Sequence, residues 1–205
     1  MSKNVQVIGA GGHAKVVIST LKALGKKIVS VYDDHHKTLG SDFMGIPVGG
    51  AFADAAHDCE TYLAIGNNGV RKEIAESAPF LWGKALVHPR AWVDPSAKLG
   101  LGSVIFAGAI VQADSFIGTH VIVNTGATVD HDCNVLDYVH IAPGCHLCGG
   151  VDVYEEAMLG VGTKVIPLMK IGAKAVIGAG SVVIRDVQAG EKTVGVPAKA
   201  IAQDS

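Results

Sequence analysis

Val129-Asp130-His131-Asp132-Cys133-Asn134-Val135-Leu136-Asp137-Tyr138-Val139-His140-Ile141-Ala142-Pro143-Gly144-Cys145-His146-Leu147 carries one period of a repeat that fills the second half of this chain. Val129, Val135, Ile141 and Leu147 recur every six residues, and four places after the first three stand Cys133, Val139 and Cys145. Extended both ways, the aliphatic position is Val, Ile or Leu at sixteen consecutive steps from Val93 to Val183. Those three types make up about a quarter of the chain, so chance does not produce the run. The places four residues later, Ala97 to Val187, are mostly small.

An aliphatic residue every six, with a small one at +4, describes a short strand and a turn. The aliphatic side chain fills the inside of a coil and the small one lies where the chain bends. Three such units close a triangular coil, and coils stacked at roughly 4.8 Å bury one continuous core. The expected architecture for residues 86–205 is therefore a parallel β-helix. Between residues 93 and 188 the ladder has no insertion, so no loop projects from it as a lid.

Composition agrees. Of 205 residues, 26 are Gly and 5% are aromatic, while 49% are hydrophobic and 18% charged. Such a chain buries enough apolar surface to fold. A net charge of −2 without a basic block argues against nucleic acid. No apolar run is long enough for a membrane span. Met1-Ser2-Lys3 leads straight into Val5-Gln6-Val7-Ile8, leaving no room for a secretory signal, so a cytoplasmic location is expected. Four cysteines, Cys59, Cys133, Cys145 and Cys148, are too few for a disulfide scaffold.

Residues 1–85 lack the six-residue period and alternate strand with helix. Strands are expected at 5–9, 28–32 and 62–65 and helices at 14–24 and 70–76, forming a small α/β domain of half-Rossmann type. Gly9-Ala10-Gly11-Gly12-His13-Ala14 fits G-x-G-x-x-A between the first strand and helix, where backbone N–H groups can meet a phosphate. Asp33 and Asp34 follow about 20 residues later, the place of a ribose-binding acid. One mononucleotide half suits a mononucleotide-linked ligand better than NAD. A glycine turn needed only for packing is the plainer alternative. Asn67 and Asn68 follow the third strand, at the carboxyl edge where α/β ligands bind, although Asn68 could equally be a helix N-cap.

In the ladder, Asn124, Asp130-His131-Asp132 and His140 form the polar cluster. A histidine beside carboxylates is the arrangement that general-base catalysis needs. His131 and His140 are nine residues apart, half a coil, and so lie on different sides of one prism; they can share a site only across a subunit boundary. Cys145-x-x-Cys148 resembles half a zinc site, yet Cys133 and Cys145 occupy inward small slots, and burial explains them better.

Together with the hexad ladder, the segments Gly9–His13, Tyr32-Asp33-Asp34, Ala64-Ile65-Gly66-Asn67-Asn68, Val129–Cys133 and Gly195-Val196-Pro197-Ala198-Lys199 resemble the PglD/NeuD group of bacterial sugar acetyltransferases. The resemblance implies a left-handed β-helix, a homotrimer, acetyl-CoA in the cleft between adjacent helices, no metal, and a UDP-linked amino sugar held by the N-terminal domain. It implies His131 as general base with Asp132 beside it. This chain has Asp where the group has Glu, so the acid reaches one methylene less far. Gly11, Gly12, His13, Asp33, Asp34, Asn67 and Asn68 would surround the nucleotide-sugar. Asn124 and His140 would belong to the active-site cleft, His140 on its coenzyme side, and Gly149, Val161 and Ala179 would line the CoA channel. The expected reaction is N-acetylation of a 4-amino group. O-acetylation of sialic acid or another sugar hydroxyl, a metalloenzyme of the gamma carbonic anhydrase type, and a non-catalytic nucleotide-sugar scaffold are the alternatives.

Overall fold

The computed structural model describes residues 4–77 and 79–201. Met1-Ser2-Lys3, on which the reading against a signal segment partly rests, lies outside them.

The N-terminal elements are β1 (Asn4–Ile8), α1 (Gly12–Ala23), β2 (Lys27–Tyr32), a one-turn α2 (His36–Leu39), β3 (Asp42–Phe43), β4 (Ile46–Gly50), β5 (Glu60–Leu63), α3 (Asn68–Ser77) and β6 (Leu81–Trp82). They form one six-stranded sheet in the order β3-β4-β2-β1-β5-β6. Its central strands are parallel, and β3 joins the edge antiparallel to β4. The elements expected from periodicity are present. β4 was not expected, because Ile46-Pro47-Val48-Gly49-Gly50 reads as a turn-rich loop. Gly49 is required there because a Cβ would lie 2.4 Å from Ser30 Oγ and 2.5 Å from the Tyr32 ring on β2.

From Leu86 the chain winds into a left-handed parallel β-helix. Its three faces start at Leu86–Val87, Trp92–Val93 and Lys98–Leu99, and each following strand pairs with the one 18 residues earlier. The ladder thus begins one rung before Val93, at Val87. The inward aliphatic residues from Ile105 to Val183 are buried, whereas Val93 and Leu99 are half-buried at the open end. Buried small-slot hydroxyls and thiols satisfy themselves on carbonyls farther along: Ser103 Oγ donates to Gly118 O (2.6 Å), Ser115 Oγ to Asp130 O (2.7 Å), and Cys133 Sγ to Cys148 O (3.2 Å). The third place after each aliphatic residue is left-handed from residue 102 to residue 180, whether glycine or not. The tail strands Lys192–Val194 and Lys199–Ala200 form a hairpin that ends the first face.

The two parts share a core. α1 turns Ala14, Val17, Ile18 and Leu21 toward the first face, where they pack with the outward residues Leu86, Val104 and Ile122 and with Phe106. That outward column continues, 18 residues at a time, into His140, Met158 and Val176. His140 stands where the covered part of the face ends.

Candidate active site

Three expected ligand-binding segments meet at the carboxyl edge of the first sheet. Gly11 is the N-cap of α1, extended and without a side-chain cap, so the first N–H groups of that helix are available to an anion. A Cβ at Gly11 or Gly12 would meet nothing within 4 Å, which leaves open space beside the helix start. Gly9 serves packing instead: its φ is +105° and a Cβ would lie 2.9 Å from Ala64 O. Asp33 Oδ2 accepts from Ala10 N (2.8 Å) and Oδ1 from His35 N (2.8 Å), so this carboxylate braces the glycine loop. Asp34 Oδ1 accepts from Phe52 N (3.1 Å).

After β5 the cap falls on Asn67, not Asn68. Asn67 Oδ1 accepts from Val70 N (3.0 Å). Asn68 is freed to tie the two domains: its Nδ2 donates to Glu156 O (2.9 Å) and Ala157 O (3.0 Å). Beside this loop a cleft of about 440 Å³ opens between Gly66, Asn68 and the outward residues Met158 and Val176, with Glu156 and Lys174 also lining it. Glu156 is paired with Lys72 at 2.8 Å and lies 3.8 Å from Lys174.

The domain junction gathers His13, Asn124 and His140. The rings of His13 and His140 are 6.1 Å apart, and His13 meets Phe106 edge-on at 5.5 Å. Burial, helped by neighbouring positive charge, holds both histidines down to about pKa 4. His140 Nδ1 lies 3.2 Å from Gly66 O, and Asn124 Nδ2 lies 3.1 Å from His140 Nε2. His140 therefore sits against the Gly66 loop of the first domain, two corners of the coil from the corner that holds Gly149.

His131 lies on that other corner, between the second and third faces, where the side chains of His131 and Asp132 are both largely exposed. Its Nδ1 is 2.7 Å from Asp132 Oδ2, and its backbone N–H donates to Asp130 Oδ1 (2.8 Å). The short Asp reaches the ring because the two residues are adjacent and Asp132 is left-handed, with φ 58°. A carboxylate accepts, so Nδ1 carries the proton and Nε2 is left with its lone pair free. The hydrogen bond to Asp132 pushes the His131 pKa up. One coil along lies Gly149, where a Cβ would come within 2.5 Å of His131 Cε1 and 2.7 Å of Nε2. Val161 and Ala179 are exposed on the corner between the first and second faces, the corner that also carries Asn124. The structure thus joins His13, Asn124 and His140 in one chain and keeps His131, Asp132 and Gly149 together but apart from them.

Cys133 and Cys145 are buried, and burial pushes both thiols up, Cys133 to about 11, so neither offers a thiolate. Among the described residues no group of three or more His, Cys, Asp or Glu is placed to hold a metal ion. No helix among them is long and apolar enough to cross a membrane.

Comparison with known proteins follows the same outline. Residues 4–78 match the family described as the PglD N-terminal domain. Perosamine N-acetyltransferase from Caulobacter crescentus, crystallised as a His-to-Asn mutant with CoA and GDP-perosamine, is 38% identical with a TM-score of 0.92 over 99% of each chain. The chain belongs to the PglD-type family of hexapeptide-repeat sugar acetyltransferases.

Another member, the acetyltransferase domain of PglB from Neisseria gonorrhoeae in complex with acetyl coenzyme A, gives a TM-score of 0.91 at 39% identity, over 98% of this chain and 100% of that one. UDP-N-acetylbacillosamine N-acetyltransferase of Bacillus subtilis (strain 168) is 42% identical over 114 residues, 51% of this chain and 52% of that protein, so the chain spans about half the length of this curated relative.

Within this PglD-type frame, one residue that sequence reasoning missed is Arg71. It is 1% exposed, and no side chain in its hydrogen-bond shell carries a negative charge. Its signal was an arginine at the fourth position of a helix whose neighbours are solvated. The column Leu86, Val104, Ile122, apolar every 18 residues on the outward side, was the second missed signal: it marks the face that α1 covers.

Proposed function

We propose that this protein transfers the acetyl group of acetyl-CoA to the 4-amino group of a UDP-linked deoxy-amino sugar, at a site completed by a second copy of the chain within a homotrimer. The observation that carries the reading is the contrast between the two ladder histidines. His140 Nε2 is engaged by Asn124 in a buried pocket. His131 Nε2 is free, and its Nδ1 proton is held on Asp132. His131 is the residue equipped to take a proton. Relatives that carry nucleotide-linked amino sugars and CoA or acetyl-CoA in their names support the substrate class.

In this mechanism the neutral Nε2 of His131 removes a proton as the amine nitrogen attacks the thioester carbonyl. A C–N bond forms, backbone N–H groups stabilise the oxyanion, and the C–S bond then breaks. The proton held by His131 passes to the departing CoA sulfur. The product is an amide, and no acyl-enzyme forms. The N-terminal domain holds the nucleotide by the α1 N-terminus, Asp33, Asp34 and the Asn67-Asn68 loop, with the sugar directed toward His13, Asn124 and His140. Because His131 lies on another corner of its own prism, it serves the acceptor pocket of a neighbouring copy, and CoA runs between the two helices past Gly149 of one and Val161 and Ala179 of the other. The protein acts in the cytoplasm.

The test is a panel of UDP- and GDP-linked 4-amino sugars and sialic acid, assayed for thiol release from acetyl-CoA and for the acetylated product. Amide formation on a UDP-linked 4-amino sugar is expected, with His131→Ala lowering kcat by roughly 10²–10⁴-fold. Ester formation on sialic acid makes the protein an O-acetyltransferase. Binding without thiol release makes it a scaffold.

A further inference from the structure

Arg71 is a buried cation with neutral partners. Its Nε donates to His120 O (2.8 Å), one terminal nitrogen to Ile65 O (3.1 Å) and Gly66 O (3.2 Å), and the other to Tyr138 O (2.6 Å) and Asn68 Oδ1 (2.9 Å). The planar guanidinium thus pins the Ile65–Asn68 loop of the first domain onto two coils of the β-helix, a geometry that the point charge of a lysine does not reproduce. Burial lowers its pKa to about 10, so it stays charged at neutral pH.

Gly66 O is shared: it accepts from Arg71 and faces His140 Nδ1, each at 3.2 Å. A carbonyl accepts, so His140 Nδ1 carries the proton. At the far side Thr125 N–H donates to Asn124 Oδ1 (2.8 Å), which fixes the amide and points its NH₂ group at His140 Nε2. A single chain of donors results, running from Arg71 and His140 into Gly66 O, and from Thr125 through Asn124 into His140. Protonation of His140 Nε2 would set donor against donor, and the amide cannot turn over without losing Thr125.

We propose that Arg71 is the positioning residue of the acceptor pocket: with Gly66 it locks His140 as the neutral Nδ1–H tautomer, and Asn124 consequently presents its remaining N–H to the ligand. The groups that face His140 are His13 from α1, Arg71 from α3, and Asn124 from its own helix; no carboxylate acts on it. His13 contributes a buried Nε2 without a partner among the described residues. The pocket therefore offers an acceptor sugar one fixed amide donor. The proposal rests on the acetyl-transfer reading for its consequence in turnover, and on hydrogen-bond polarity for everything else.

Long-range ¹⁵N–¹H correlation NMR of the histidine rings in the intact protein tests it. His140 is expected as the neutral Nδ1–H form between about pH 5 and 8. In Arg71→Met its titration midpoint should rise by about one pH unit, and Arg71→Lys, which returns the charge without the planar fork, should recover only part of the difference. Asn124→Asp sets a carboxylate against Nε2 and should leave His140 protonated at neutral pH. A wild-type Nε2–H tautomer, an unchanged midpoint in folded Arg71→Met, or a neutral His140 in Asn124→Asp overturns the proposal. Should Arg71→Met not fold, the wild-type tautomer and Asn124→Asp still decide it. In acetyl transfer, the acceptor KM of Arg71→Met should rise several-fold as pH falls while kcat holds. If no amino sugar is a substrate, the functional reading fails and the NMR result stands by itself.

Discussion

At the scale of single residues, the site depends on where protons sit. The hydrogen bond to Asp132 raises the His131 pKa, so the proposed base is neutral only above the usual histidine value. kcat/KM should therefore climb with pH through a limb displaced upward from about 6.5. Asn tolerates the left-handed backbone at position 132 and still accepts from Nδ1, but without charge. Asp132→Asn should move that limb down toward the ordinary value in a pH–rate profile, and an unmoved limb would show that the acid does not act on the base. Gly149 is the only glycine of the ladder two places after an aliphatic residue rather than one or three. Its missing Cβ leaves the space that the His131 ring occupies. Gly149→Ala should lower kcat by about ten- to a hundredfold through a displaced ring, with circular dichroism unchanged; full activity would assign Gly149 to backbone geometry alone.

At the scale of elements, short connections carry the interdomain register. α3 begins behind Asn67, whose side chain caps Val70 N–H, and this frees Asn68 and Arg71 to face the β-helix. Asn67→Ala should cost about 1 kcal/mol in denaturant unfolding, the usual worth of an N-cap. A larger loss would mean that the cap also holds the Arg71 clamp. In the β-helix each coil buries its aliphatic residues against the coils before and after, so Ile141→Ala, at 0% exposure, should cost about 2–5 kcal/mol. Where glycine stands at +1 or +3, it serves different ends. At Gly160 a Cβ would lie 2.7 Å from Ala179 N, whereas Gly162 has open space and a φ of +72°.

At the scale of the whole molecule, three histidines pack at the domain junction, His120 and His140 buried and His13 half-buried. His13, His120 and His140 are each held to about pKa 4, chiefly by burial. Their unfolded value is about 6.5, so the unfolded chain takes up their protons first as pH falls. The stability that comes from keeping them neutral is complete above about 6.5 and drains away between there and about 4. The thermal midpoint should fall steeply across that window, and His120→Phe, which removes one of the three protons while keeping a ring against Tyr138 and Trp82, should flatten the slope. An unchanged slope would remove His120 from the account.

The β-helix was legible because its rule is local. Each hexad from Val93 to Val183 repeats the same inward residue and the same bend, and strand pairing at 18 residues follows from the period. The glycine loop, Asp33 and the Asn67-Asn68 pair could likewise be placed at the sheet's carboxyl edge, since alternation of strand and helix determines that edge. Adjacency leaves Asp130 and Asp132 equally placed beside His131, and the left-handed backbone at position 132 brings the second onto Nδ1. Which face of the prism α1 covers, and hence why His140 is buried and bound to Gly66, required residues 14–21 to meet residues 86, 104 and 122 across the fold. Arg71 shows the same limit. In sequence it is a charged residue on a short helix, and only the docking of that helix onto the carbonyls of His120 and Tyr138 turns it into a buried cation. Periodicity specifies what each segment buries, but the partner that buries it is chosen by packing between segments far apart in the chain.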